Sequence, residues 1–317
     1  MKHRAKWLWF FLFSFFVVCN AAFPGFAQSR GLDDILQPLG QESSLLTGED
    51  GRITRAVKLS ISDETGDIYR IQFKSDGLSI TGFAVIPRTA LNGESLPALI
   101  YGRGGAANVE ISSIREPVLQ KRFLPMAVRN NYIILAPELR GVQGSEGKDE
   151  WGGRDMNDIA AMLKLARSLP YVQKDNVFFM GLSRGGTRAY LLASSEEPFR
   201  GIIAIAGVSD FFSHFSSSHD NIRKWLPKQF GLSFEESFIK MSAVRWPEKI
   251  KKPLLIIHGT SDSDVPIFQS RTLAKALEKA GAPFKFVEMK GAEHHLLFSK
   301  TADFEKIAFP WLDSLRK

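Results

Sequence analysis

Apolar positions along the chain gather into short uninterrupted runs separated by polar, glycine-rich joints. PALIYG (97–102), YIILAPE (132–138), NVFFMG (176–181), GIIAIAG (201–207) and PLLIIHG (253–259) are such runs, and FKFVEM (284–289) extends the series. A strand that reads as continuous apolar residues is covered on both faces, as in a parallel sheet. Ahead of them, IYRIQF (68–73) and LSITGFAVIP (78–87) also read as strands, parted by the turn residues Ser75-Asp76-Gly77. Between the runs the apolar period lengthens. DMNDIAAMLKLARSL (155–169) places Ile159, Met162, Leu163 and Ala166 on one helical face. Segments 183–194 and 267–280 also read as helices, and FEKIAFPWLDSLRK suggests a terminal helix bent or started near Pro310. Strands alternating with helices predict an α/β domain over residues 65–317, with a mostly parallel central sheet and helices on both faces. Residues 211–246 break the alternation and are expected to form a helical, lid-like insertion, an ordinary crossover segment being the alternative.

The N-terminus has a different pattern. Lys2, Arg4 and Lys6 precede an apolar run from Trp7 to Val18, and small residues follow. This is the order of a secretory signal peptide over 1–27, with cleavage after Ala27. The run is short for crossing a bilayer, which takes about 20 residues; an uncleaved anchor is the alternative. Residues 28–64 read as a polar N-terminal extension. Cys19 is the single cysteine and leaves with the signal, so thiol catalysis, disulfides and cysteine-ligated metals are not expected in the mature chain. An exported protein, periplasmic or extracellular, with no stable membrane association after cleavage is the expectation. The formal charge is +7, and about +4 without the three N-terminal cations. With no basic helix or aromatic-basic cluster, nucleic acid is not an expected partner. Lys249, Lys251 and Lys252 read as a solvated patch.

Candidate chemistry centres on FMGLSRGG (179–186). Gly181-x-Ser183-x-Gly185 stands where a buried strand ends and a helix begins, the setting of a nucleophile elbow. A serine hydroxyl is a weak nucleophile and needs a base, itself oriented by a third group. Two later strands end in candidates. LLIIHGTSDSDVP (254–266) carries Asp262 and Asp264, and KGAEHHLLF (290–298) carries His294 and His295. Asp262 is preferred as the acid, because Asp264 directly precedes Val265-Pro266 and a helix start, where a carboxylate has a plain structural role. His294 is preferred over His295. Ser183, Asp262 and His294 each follow a strand and would emerge at one sheet edge. His258 reads as locally packed or hydrogen-bonded, and His214 and His219 as surface residues of the insertion, with contact to substrate as the alternative. No histidine pair has metal-ligand spacing with a carboxylate, and GRGG (102–105) has neither P-loop nor dinucleotide-fingerprint spacing; no cofactor is expected.

IYGRGG (100–105), ELRGVQGSEGKDEWGGRDMND (138–158), GLSRGG, SAVRWPEKIKKPLLIIHGTSDSDVP and GAEHHL together resemble the catalytic domain of the prolyl oligopeptidase (S9) family of α/β-hydrolases, over roughly residues 65–315. The resemblance implies the α/β-hydrolase fold and serine hydrolase chemistry through an acyl-enzyme. It places Asp262 at the acid position after HGTS and His294 at the base position in Gly291-x-x-His294-x-Leu296. Family members carry a β-propeller of several hundred residues before this domain. Only about 40 residues separate signal from hydrolase here, so neither the propeller nor its size filter is expected; the resemblance favours a peptidase on short peptides, and the missing propeller makes a carboxylesterase on small esters the alternative. A silent α/β-hydrolase-fold binding protein is the reading from another class. Family peptidases often place a tyrosine where Arg103 stands, and its hydroxyl helps the oxyanion. Without it, one donor is expected from the backbone N–H of Arg184 and the second from the N–H of Arg103 or Gly104, or from the Arg103 guanidinium, for which a structural salt bridge is the alternative. Arg140 and Arg154 are expected to brace their glycine-rich loop, with binding of a substrate carboxylate as the alternative. Oligomeric state is not legible.

Overall fold

The computed structural model describes residues 50–105, 119–142, 144–217 and 234–317. The signal peptide expected over 1–27, His219 and the middle of the 211–246 insertion lie outside the described residues. The strands are β1 (Ile53–Lys58), β2 (Gly66–Ser75), β3 (Leu78–Pro87), β4 (Leu96–Gly102), β5 (Ile133–Pro137), β6 (Val172–Leu182), β7 (Ile202–Ile205), β8 (Leu254–Gly259) and β9 (Phe284–Met289). They form one sheet in the order β1-β2-β3-β5-β4-β6-β7-β8-β9. β1, β2, β3 and β5 pair antiparallel in turn. From β5 through β4, β6, β7 and β8 to β9 every pairing is parallel. The helices used below are α1 (Leu124–Asn130), α2 (Asp155–Ser168), α3 (Arg184–Ala193), α4 (Phe211–Ser217), α5 (Phe234–Met241), α6 (Phe268–Ala280) and α7 (Thr301–Ser314).

The uninterrupted apolar runs follow from burial on both faces. Successive side chains of a strand point to opposite sides. Ile100, Phe179 and Ile256 enter one core with Met162 and Ala166 of α2, Tyr190 of α3 and Leu273 of α6. Their neighbours Leu99, Phe178 and Leu255 enter the other, with Met126 of α1 and Phe304 and Phe309 of α7. Each buried Leu, Ile, Phe or Met among them stabilises the fold by about 1.5–3 kcal/mol. Glu305 of α7 is buried and accepts from Arg129 Nη2 at 2.6 Å and Asn130 Nδ2 at 3.1 Å, tying α7 to α1.

The structure corrects one boundary and decides one alternative. β1 lies inside the stretch assigned to an N-terminal extension, so the sheet begins at Ile53. ITRAVK interleaves charges with short apolar residues, as an edge strand does, and so lacks the signature of the central runs. The terminal helix begins at Thr301, nine residues before Pro310, and Pro310 sits inside it on the exposed side. Among the described residues no helix is long and apolar enough to cross a membrane.

Candidate active site

β6 ends at Leu182 and α3 begins at Arg184, leaving Ser183 as the single joint between them. Ser183 takes φ 59°, ψ −119°, a region that costs a non-glycine residue about 1–3 kcal/mol. Hydrogen bonds on both sides hold it there: its N–H donates to the Ile205 carbonyl at 2.8 Å, and its carbonyl accepts from the Thr187 N–H at 3.1 Å. The flanking glycines have a steric reason. A Cβ on Gly181 would lie 2.0 Å from the Gly185 carbonyl oxygen, and one on Gly185 would lie 2.0 Å from that of Gly102.

The loops after β8 and β9 are locked to each other. Thr260 N–H donates to Met289 at 3.0 Å, Ser261 N–H donates to Ala292 at 2.9 Å, and Gly291 N–H donates to Thr260 Oγ1 at 2.8 Å. These bonds bring Asp262 and His294 together. His294 Nδ1 lies 2.8 Å from Asp262 Oδ2, and His294 Nε2 lies 2.9 Å from Ser183 Oγ. Asp262 Oδ1 accepts from the N–H groups of Val265 at 2.8 Å and Asp264 at 3.0 Å. The carboxylate of Asp264 is exposed, and α6 starts later, at Phe268, so it does not play the helix-start role expected for it. His295 is exposed and sits edge-on to His294, 5.2 Å between ring centroids.

On the opposite side of Ser183 stands the loop after β4. Gly104 is packed against the elbow, a Cβ on it falling 3.0 Å from Ser183 Cβ. The guanidinium of Arg103 faces the interior. It is 4% exposed, lies 3.3 Å from Glu138 Oε2, and donates to the Glu138 carbonyl at 3.2 Å. The Arg103 guanidinium thus makes the structural salt bridge that was the alternative to an oxyanion role, which leaves the backbone N–H groups of this loop as the candidate donors. Arg140 is a brace, donating to Asp158 and Asp76 at 2.8 Å each. Arg154 pairs with Glu150 on the exposed surface.

The sequence signature of the prolyl oligopeptidase family matches residues 120–312, more than half of the chain. The chain belongs to the prolyl oligopeptidase family. Among its curated relatives, the uncharacterized peptidase YtmA of Bacillus subtilis is 28% identical over 220 residues, covering 68% of this chain and 81% of YtmA. The uncharacterized peptidase YuxL of the same organism is 26% identical over 279 residues, covering 82% of this chain and 39% of YuxL. The acylaminoacyl peptidase of Pyrococcus horikoshii superposes with a TM-score of 0.66 at 21% identity, covering 79% of this chain and 42% of that one. The chain therefore spans about two-fifths of the length of the two longer proteins. The fold is that of the α/β-hydrolases, and family membership makes this prolyl oligopeptidase relative a serine hydrolase.

Three features of this S9-family site depend on tertiary neighbours, and of these only the local hydrogen bonding of His258 is expected from the sequence. The first is His258. It is fully buried, with Nδ1 2.7 Å from Ser270 Oγ, Nε2 2.7 Å from the Val265 carbonyl, and Nε2 3.2 Å from Asp262 Oδ2. Both neighbours of Nε2 are acceptors, so Nε2 carries the proton and donates. Asp262 thus receives four donors. Burial alone raises a carboxyl pKa, but the bonds from His258, His294 and Val265 outweigh it and hold Asp262 well below the ordinary 3.8. The second is the side chain of Arg184, clamped by Asp149 and stacked 3.8 Å from the Trp151 ring centroid. Burial, with Arg188 adding repulsion, pushes Arg184 down to about 10 against the pull of Asp149. The third is His214 on α4, half-buried rather than at the surface as expected. Burial lowers its pKa, His294 lowers it further and Asp262 opposes, which puts the start of the 211–246 insertion in electrostatic range of the base. Its helix α4 packs with α5 through Phe211 and Phe238, 5.5 Å apart. The links of these three side chains to the triad depend on which loops become neighbours.

Proposed function

We propose that this chain is an exported serine peptidase acting on short peptides through a Ser183–His294–Asp262 triad. One observation carries the reading: a strained Ser183 whose Oγ lies 2.9 Å from His294 Nε2, with the other ring nitrogen 2.8 Å from Asp262. His294 Nε2 takes the Ser183 hydroxyl proton as Oγ attacks the scissile carbonyl carbon. Asp262 holds the Nδ1–H tautomer and stabilises the imidazolium that forms. The tetrahedral oxyanion faces the Arg184 N–H at the start of α3 and a backbone N–H of the Arg103–Gly104 loop. Such donors contribute about 3–4 kcal/mol each to transition-state stabilisation. His294 then passes its proton to the leaving amine, the C–N bond breaks, and an acyl-Ser183 ester remains. Water, deprotonated by His294, releases the acid. The peptidase names of the B. subtilis and P. horikoshii relatives support amide over ester substrates. The basic-then-apolar N-terminus supports export.

A panel of aminoacyl and dipeptidyl p-nitroanilides and p-nitrophenyl esters, run beside Ser183→Ala, tests this. Wild type cleaves one or more anilides, and Ser183→Ala loses about 10⁵–10⁶-fold in kcat. Ester turnover with no anilide cleavage replaces the peptidase reading with a carboxylesterase. Full activity in Ser183→Ala removes the triad.

A further inference from the structure

Three successive carbonyls of the loop after β4 are each held by a different arginine. Arg188 Nη1 donates to the Arg103 carbonyl at 3.3 Å, Arg103 Nη1 donates to the Gly104 carbonyl at 2.8 Å, and Arg184 Nη1 donates to the Gly105 carbonyl at 3.2 Å. A carboxylate fixes each guanidinium in turn. Asp155 Oδ2 lies 2.8 Å from Arg188 Nη2 and 3.7 Å from Arg184 Nη2, Glu138 Oε2 lies 3.3 Å from Arg103 Nε, and Asp149 clamps Arg184. The three arginine side chains are only 4–5% exposed. Buried ion pairs are at best near break-even against apolar residues of the same volume. Fold stability alone is a weak reason to keep three arginines and three carboxylates beside the elbow.

The geometry of the peptide bond supplies a better one. In a trans peptide the C=O of one residue and the N–H of the next point in opposite directions, and among the described residues no peptide bond is cis. Drawing the Arg103 carbonyl onto Arg188 turns the Gly104 N–H the other way. Gly104 is the residue against the nucleophile, a Cβ on it falling 3.6 Å from Ser183 Oγ. The carbonyls of Gly102 and Arg103 lie over Gly185 of α3 instead, 2.0 and 3.0 Å from the point a Cβ there would occupy. A loop carbonyl turned towards the nucleophile would repel an oxyanion.

We infer that Arg188, Arg103 and Arg184 are positioning residues that hold the carbonyls of residues 103–105 inward and so present the Gly104 N–H as the second oxyanion donor, opposite the Arg184 N–H. The inference rests on Ser183 being the nucleophile. The arginines touch no reacting atom and act through the loop.

The test uses the full chain with a matched oxoester and thionoester of the same acyl and leaving groups. Sulfur is larger and a poorer hydrogen-bond acceptor, so a well-set oxyanion hole prefers the oxoester. Arg188→Lys keeps the charge beside Asp155 but withdraws the planar donor from the Arg103 carbonyl. It is expected to lose about 10- to 100-fold in kcat on the oxoester, with KM little changed and the oxo/thiono ratio of kcat/KM reduced by about half or more of that factor on a logarithmic scale. Arg184→Lys, which withdraws the donor from Gly105, shifts the ratio the same way. A variant that merely folds less well loses both substrates equally, so an unchanged ratio in whichever variant is folded by circular dichroism overturns the inference. Ser183→Ala run alongside keeps the outcomes apart: activity surviving there fails the nucleophile reading, whatever the ratio does.

Discussion

Asp262→Asn isolates what the carboxylate does. All four of its lone-pair positions accept: Oδ2 from His294 and His258, Oδ1 from the N–H groups of Val265 and Asp264. An amide has one oxygen, and its NH₂ must face one of these donor pairs. The backbone N–H groups cannot reverse, so the oxygen stays with them and the NH₂ turns to the imidazoles. His294 then accepts at Nδ1 and carries its proton on Nε2, pointing at Ser183, where it is no longer a base. Loss of the productive tautomer costs about 10⁴-fold in kcat, or about 5.4 kcal/mol at 1.36 kcal/mol per decade. Asp264→Asn is the matched control, since only its backbone N–H enters the site; it should stay within about two-fold. The assay is kcat at pH 7 on the best anilide of the panel, with thermal melting to show both variants folded. Asp262→Asn within ten-fold of wild type refutes the tautomer argument. A large loss in Asp264→Asn instead moves the acid to Asp264. The pH dependence of stability has a definite sign. The folded pKa of Asp262 is depressed below 3.8, so its contribution is fully present above about pH 4 and is lost as pH falls through the folded value. Asp262→Asn removes that acid-side component, and its stability penalty should shrink as the pH drops below 3.8.

His258→Phe leaves the Val265 carbonyl and Ser270 hydroxyl buried without the imidazole and takes a donor from Asp262. It should lose about 2–5 kcal/mol in urea unfolding, while His258→Gln, which keeps a donor, recovers part of it. Gly185→Ala puts a methyl 2.0 Å from the Gly102 carbonyl oxygen and should depress both melting temperature and activity. Gly281→Ala, at φ 66° with nothing within 4 Å, should cost only the left-handed penalty of about 1–2 kcal/mol and leave kcat unchanged. Phe179→Ala opens a cavity in one core and should cost about 3–5 kcal/mol by denaturant titration, with KM of the folded fraction unaltered.

Local pattern determined a good deal of this protein. Burial on both faces forces a central strand to be apolar throughout, so β4 to β8 stand out as runs, and α2 shows its buried face by period. A strand-to-helix joint with glycines two residues either side of a serine is equally local, because the clashes it avoids lie within one turn. Asp262 and His294 were legible as residues that follow strands. β1 was not, because an edge strand tolerates the charges that a central run excludes, and Pro310 by itself leaves open whether α7 starts at the proline or runs through it. What lies beyond local reach depends on neighbourhood. That β8 and β9 are adjacent, and their loops cross-bonded through Thr260 and Ala292, is what puts His294 on Asp262. The same folding sets His258 on the far side of that carboxylate, turns the Arg103 guanidinium onto Glu138, and lines three arginines along three carbonyls. Hydrophobic periodicity encodes which side of an element is buried. Directional hydrogen bonds between loops far apart in the chain are decided only when the sheet order brings those loops side by side.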